Sequence, residues 1–128
     1  MAGRAKVLIV DDSPLILDMT RALLDDAGFD VVTALNLSEL EQVLETEPPD
    51  VVLVDVNMPE AFGDDVAMVL RSARKVAAPI YLYSNLDVEE LARRARDAEV
   101  EGFISKRQGF PVLVKRLQEI LGVKQACP

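Results

Sequence analysis

Carboxylates dominate the residues of this chain that could carry chemistry. Asp11-Asp12, Asp55, Ser84 and Lys106 each stand directly after a short run rich in apolar residues. The chain has no histidine and one cysteine, Cys127. That excludes Ser-His-Asp and Cys-His catalysis within it, along with histidine-ligated zinc. A single thiol also gives no internal disulfide and no thiolate metal site. Carboxylate, hydroxyl and amine groups must therefore do the work. Three carboxylates brought together repel one another and need a counter-charge. A hard divalent cation with oxygen ligands supplies it: Mg2+ is the natural candidate, and Mn2+ would also serve. Lys106 adds a fixed positive group.

The elements that must position these residues alternate between two periods. Val7–Val10 is a continuous apolar run stopped by Asp11-Asp12, as a parallel strand buried on both faces requires. Ser13-Pro14 reads as an N-cap with proline at the first helical position, and Ile16, Met19, Leu23 and Ala27 recur at helical spacing until Gly28. Val31–Ala34 is a second strand. Asn36 with Glu39 resembles a capping box that opens a helix to about Glu45, ended by Pro48-Pro49. Val51–Val54 is a third apolar strand, ending in Asp55. Asn57-Met58-Pro59 leaves the sheet, and Gly63-Asp64 leads into a helix carrying Val66, Val69 and Leu70. Ile80–Tyr83 forms a fourth strand ending at Ser84. The next helix, Val88–Ala98, has acids first and arginines later, the order its dipole favours. Gly102–Ser105 is a fifth strand ending at Lys106. Pro111–Leu121 closes the chain with Leu113, Leu117, Ile120 and Leu121 on one face. Five βα units of this kind predict an α/β fold with a doubly wound five-stranded parallel sheet. In such sheets the site lies at the carboxyl ends of the strands, so the residues named above should converge on one edge.

At 128 residues, half of them hydrophobic, the chain fits one domain, with a core from about 6 to 121 and a tail over 122–128. No apolar run approaches the ~20 residues that span a bilayer, and the first strand is too short for a signal-peptide core. The expectation is a cytoplasmic protein with no membrane partner. A net charge of −8 repels phosphate backbones, so the domain itself is not expected to bind nucleic acid.

Taken in order and at their spacings, Val10-Asp11-Asp12, Val54-Asp55-Val56-Asn57-Met58-Pro59, Tyr83-Ser84 and Phe103-Ile104-Ser105-Lys106 resemble the motifs of response-regulator receiver domains, from Lys6 to about Leu121. The resemblance implies a flavodoxin-like, CheY-like three-layer sandwich. It implies that Asp55 accepts a phosphoryl group from a phosphohistidine on a sensor histidine kinase or a histidine phosphotransfer protein. Asp12, Asp55 and the Asn57 backbone carbonyl would hold Mg2+, with Asp11 acting mainly through a metal-bound water. Lys106 would pair with a phosphoryl oxygen, and Ser84 would donate a hydrogen bond to another. Phe103 matches an aromatic switch position that turns inward as Ser84 moves. The helix over Val88–Ala98, the strand Gly102–Ser105 and the helix over Pro111–Leu121 would form the face that meets an output protein. Such a domain is a two-state switch and not a conventional turnover enzyme.

Plainer roles compete at several positions. Ser84 would serve equally as an ordinary helix cap. Phe103 would also be simple core, and Arg93, Arg94 and Arg96 a solvated helix face. Leu15, Ile16 and Leu17 cannot all face the core of one helix, so Leu15 or Leu17 is expected to be exposed and to contact the phosphodonor.

The sequence departs from the family pattern mainly on the output side. Arg107 follows Lys106 where the family has proline after a cis peptide bond. Without proline that bond is either trans or a cis form costing ~2.5–4 kcal/mol. Gln108 and Gly109 replace an aromatic residue and a firmer helix cap. Asn85 stands where a small residue is common, and Phe62 where the loop is usually small or polar. The acceptor and metal residues are intact, so phosphorylation chemistry is expected to be kept while the output partner is unusual. A phosphorylation-independent interaction module on the same fold is the competing reading. An aspartate-nucleophile phosphatase is disfavoured, because Asn57 stands where that chemistry wants a general acid. A flavodoxin-like cofactor binder is disfavoured because Asp11-Asp12 repel phosphate.

Overall fold

A computed structural model of the chain describes residues 4–46, 48–56 and 78–122. Its strands are β1 (Lys6–Val10), β2 (Asp30–Ala34), β3 (Val51–Val54), β4 (Ile80–Ser84) and β5 (Gly102–Ser105). They form one parallel sheet in the order β2-β1-β3-β4-β5. The described helices are α1 (Pro14–Asp26), α2 (Leu37–Thr46), α3 (Val88–Asp97) and α4 (Phe110–Leu121). The expected helix with Val66, Val69 and Leu70 lies outside the described residues, as do Asn57, Phe62 and Cys127. The predicted α/β architecture with a doubly wound sheet is the one observed. No described helix is long and apolar enough to cross a membrane.

Strand side chains alternate between two layers, as the period of two demands. Val7, Ile9, Val51, Leu53, Tyr83 and Ile104 point to the layer of α1 and α4, where Leu17, Leu24, Leu113 and Leu117 meet them. Leu8, Val10, Val52, Val54 and Ile80 face the opposite way and pack with Leu40 of α2. Leu82 on that side packs with Leu91 and Ala95 of α3. Burial on both faces explains why β1 and β3 read as unbroken apolar runs.

Local signals set both ends of α1 and the start of α2. Ser13 Oγ accepts a hydrogen bond from Ile16 N at 3.3 Å, with Pro14 at the first helical position. Asn36 Oδ1 accepts from Glu39 N at 2.9 Å, and Glu39 Oε1 reaches back to accept from Leu35 N at 2.8 Å. That is the reciprocal logic of a capping box. Gly28 follows α1 at φ 102°, a conformation that side-chain-bearing residues rarely adopt.

The core-facing stripe of α1 differs from the expected one. Leu17, Thr20 and Leu24 are buried, whereas Met19 is 47% exposed and Ala27 is exposed. Ile16 and Leu23 lie at the flanks, half-buried. Both stripes have helical spacing, and the true one is disguised by a threonine in its centre. Thr20 Oγ1 is fully buried without a hydrogen-bond partner. Leaving such a hydroxyl unpaired is costly, so the near-isosteric Thr20→Val should stabilise the fold by about 1 kcal/mol. A raised urea midpoint at unchanged slope is the expected reading.

Candidate functional site

Register delivers the acidic residues to one place. Val10 pairs with Ala34 on one side and Val54 on the other. Asp11 and Asp55 therefore leave adjacent strands at the same height. The hydrogen-bond ladder runs one residue beyond the strands to hold them: Asp11 N donates to Ala34 O at 3.1 Å and Asp55 N to Val10 O at 2.9 Å. Ser84 pairs with Ser105, which puts Lys106 one step past the same edge.

One carboxylate oxygen each from Asp11, Asp12 and Asp55 lies within 4.8 Å of the others. Asp11 and Asp55 are buried, whereas Asp12 is exposed and gives the cluster an open side. Lys106 Nζ donates to Asp11 Oδ2 at 2.6 Å and stands 3.9 Å from Asp55 Oδ1. Asp11 Oδ1 accepts from Ser13 N at 3.0 Å, so both of its oxygens are engaged. The ammonium of Lys106 thus reaches two of the three clustered carboxylates. A hard cation with several oxygen ligands fits that donor set and the surplus charge.

Tyr83 has no role of its own in the sequence reading, yet its ring lies beneath Lys106, with Nζ 5.3 Å from the ring centroid. The available signal is an aromatic residue on the buried face of β4 one position before Ser84. Burial, reinforced by the charge of Asp11, pushes the Tyr83 hydroxyl up to about 12 from an ordinary value of 10. The folded state thus resists losing this proton more than the unfolded chain does. Its advantage is complete below pH 10 and is lost as pH rises through about 12. A two-unit shift corresponds to about 2–3 kcal/mol. Urea melts stepped through that window should lose roughly this much stability in the wild type and less in Tyr83→Phe.

The remaining predicted residues lie on the fourth strand, the fifth strand and the helix between them. Ser84 is buried, and its Oγ accepts from Leu86 N at 3.4 Å. It closes the turn before α3 and does not cap the helix, since Asp87 holds that position without a side-chain cap bond. Phe103 is half-buried against Val56, Leu82, Leu91 and Ala95. It also borders a groove of about 500 Å3 with Val88, Val112, Lys115 and Arg116, between α3, β5 and α4. Arg93 and Arg94 both hydrogen-bond Glu90, whose carboxyl they hold down at about 2. They belong to the helix surface and not to the site.

The open question at Lys106-Arg107 has a definite answer, because no cis peptide bond occurs among the described residues. The chain takes a 3-10 turn over Lys106–Gln108, with Ser105 Oγ accepting from Arg107 N at 3.1 Å. Arg107 Nη1 reaches Asp87 Oδ1 at 2.8 Å, tying the loop after β5 to the loop after β4. Both partners are exposed, so the pair contributes at most about 1 kcal/mol. Gly109, at φ 88°, precedes α4 and offers it no side-chain cap.

An open parallel sheet ordered 2-1-3-4-5, with its polar cluster where the strand order reverses, defines the class: a doubly wound α/β domain with an acidic cluster at the carboxyl ends of its strands. The family model of the response regulator receiver domain matches residues 7–118. The transcriptional regulatory protein KdpE of Mycobacterium tuberculosis is 31% identical over 112 residues, covering 88% of this chain and 49% of that protein. The transcriptional regulatory protein PdtaR of the same organism is 33% identical over 114 residues, covering 88% and 55%. Among solved structures, the chemotaxis protein CheY4 of Vibrio cholerae matches with a TM-score of 0.83 at 31% identity, covering 93% of this chain and 100% of that one. The chain belongs to the response-regulator receiver domain family. It spans about half the length of these two curated relatives.

Proposed function

We propose that this domain accepts a phosphoryl group on Asp55 from a phosphohistidine donor and signals through the resulting change of shape. The observation that carries this reading is the convergence of Asp11, Asp12 and Asp55 within 4.8 Å, with Lys106 reaching two of them. In the transfer, a carboxylate oxygen of Asp55 attacks phosphorus in line. The new O–P bond forms as the P–N bond to the donor imidazole breaks, and the freed imidazole takes up a proton. Lys106 leaves Asp11 to pair with a phosphoryl oxygen, and Ser84 donates to another. Asp12, Asp55 and the Asn57 carbonyl would hold a Mg2+ ion, with Asp11 assisting indirectly, and the ion would supply neutralisation of charge on the transferring oxygens.

The donor is a sensor histidine kinase or a histidine phosphotransfer protein. Leu15 is 67% exposed on α1 beside exposed Met19, whereas Leu17 is buried. Leu15 is thus the one of the two expected candidates left to meet the donor. Changing Leu15 and Met19 together to Asn should slow transfer from a protein donor about tenfold or more, as loss of an apolar anchor pair does. Uptake from acetyl phosphate should be unchanged. Equal rates from the protein donor would remove α1 from the docking surface. The groove beside Phe103 is the proposed meeting place for an output protein, and the chain is read as a single cytoplasmic domain.

Mass spectrometry after incubation with acetyl phosphate, with and without Mg2+, tests the central claim. The expected result is one phosphoryl group per chain, dependent on Mg2+. A phosphorylation-independent interaction module would instead take none, and its NMR spectrum would show no shifts near Asp55 on titration with beryllofluoride and Mg2+.

A further inference from the structure

We propose that Tyr83 is a positioning residue for Lys106, its ring forming the surface along which the lysine ammonium travels between Asp11 and a phosphorylated Asp55. The inference rests on the phosphoryl-transfer reading above and assigns it a part not carried by the acidic residues. Lys106 has a flexible four-carbon stem and two carboxylates within reach, at 2.6 Å and 3.9 Å. The hydrogen bond to Asp11 keeps the ammonium at the outer limit of ion-pair range from Asp55. A cavity of about 220 Å3 also opens beside it, lined by Ile16, Met19, Thr20, Tyr83, Lys106 and Phe110. Something must keep the stem from swinging into that space when the bond to Asp11 is released.

The Tyr83 ring is placed to do so. Tyr83 is 4% exposed and fixed in the core between β4, α1 and α4. Its centroid lies 5.3 Å from Nζ, inside the ~6 Å range of cation–π attraction. The Lys106 side chain is itself only 11% exposed, so the attraction acts in a largely desolvated setting. Unlike a hydrogen bond, attraction to a π-face has no sharp angular demand. The ammonium can slide a short way across the ring without losing it, whereas leaving the ring forfeits it. An aliphatic residue at position 83 would fill the core but present no such face.

Tyr83→Phe and Tyr83→Leu separate the ring from mere volume. The Tyr83→Phe variant keeps the ring, and its rate of phosphoryl uptake from acetyl phosphate with Mg2+ should stay within about twofold of wild type, since the π-face is retained. Tyr83→Leu should slow uptake about tenfold, the equivalent of losing one desolvated cation–π contact. Lys106 ε-methylene NMR signals should be shifted upfield by the ring current in the wild type and in Tyr83→Phe, and return to ordinary positions in Tyr83→Leu. If Tyr83→Leu does not fold, Tyr83→Met takes its place with the same expectations. Wild-type uptake in a folded Leu or Met variant would overturn the proposal, as would unshifted Lys106 signals in the wild type. A loss in Tyr83→Phe equal to that in Tyr83→Leu would also overturn it, by assigning the effect to the hydroxyl. A wild-type protein that takes up no phosphate, yet shows shifted Lys106 signals lost in the Leu variant, would defeat the transfer reading while leaving the placement of Lys106 intact.

Discussion

Asp55→Asn is expected to abolish phosphoryl uptake while leaving the fold in place. The substitution preserves shape, and the backbone bond from residue 55 N to Val10 O does not involve the side chain. What disappears is the proposed nucleophile. A neutral amide oxygen attacks phosphorus far more weakly than a carboxylate, so the rate from acetyl phosphate should fall by at least about a thousandfold. The neighbouring acids should behave differently. Asp12 is exposed and Asp11 is tied to Lys106 and Ser13 N, so neither is proposed to attack phosphorus. Asp12→Asn should keep residual uptake that recovers partly at high Mg2+, because weakened cation binding can be overcome by mass action. Intact mass measured over time distinguishes the two: a flat trace for Asp55→Asn, a slow and Mg2+-dependent rise for Asp12→Asn. Undiminished labelling in Asp55→Asn would place the acceptor elsewhere.

The sequence made the sheet legible because parallel strands buried on both faces leave unbroken apolar runs, and each of these ends in a polar residue. Val7–Val10 before Asp11 and Val51–Val54 before Asp55 carry both the strand and its acidic end in one short window. Convergence then follows from the sheet, since parallel strands in register deliver their ends to one edge. The core face of α1 was less legible. Its buried stripe contains Thr20, and a rival stripe through Met19 looked more apolar. Periodicity cannot separate two stripes that differ by one residue when the correct one holds a hydroxyl. Tyr83 was hidden for a related reason. An aromatic on a buried strand face is ordinary core, and nothing local to β4 says that a lysine from the end of β5 will lie over it. The pairing of Arg107 with Asp87 also joins two loops and has no periodicity to read. Replacement of the family's proline by Arg107 left two peptide geometries open. Only the chain path could choose between them, and it chose trans.

Lys106→Met is expected to divide stability from cation affinity in a way that tests how the pocket manages its charge. Among the described residues, the ammonium is the positive group paired with Asp11, whose side chain is 2% exposed. Methionine keeps much of the stem's length but takes away the charged partner of that buried carboxylate, leaving the hydrogen bond from Ser13 N. Breaking a buried pair on one side typically costs 3–5 kcal/mol, and roughly that loss should appear in chelator-treated protein. A divalent cation would supply the missing positive charge to the same carboxylates. The variant should therefore bind Mg2+ about tenfold more tightly, and at saturation should recover the corresponding ~1.4 kcal/mol of its loss relative to wild type. Linkage makes the effect reciprocal: in the wild type the hold of Lys106 on Asp11 must weaken by the same factor when the cation is bound. In the proposed transfer that release would free the ammonium for a phosphoryl oxygen, so the variant's uptake from acetyl phosphate should nonetheless fall about a hundredfold despite tighter Mg2+ binding. Thermal melts with chelator and across a Mg2+ titration, set beside uptake rates, read all three quantities. Unchanged Mg2+ affinity in Lys106→Met would mean that the lysine and the cation do not compete for the same charge, and the account of a shared acidic pocket would have to be abandoned.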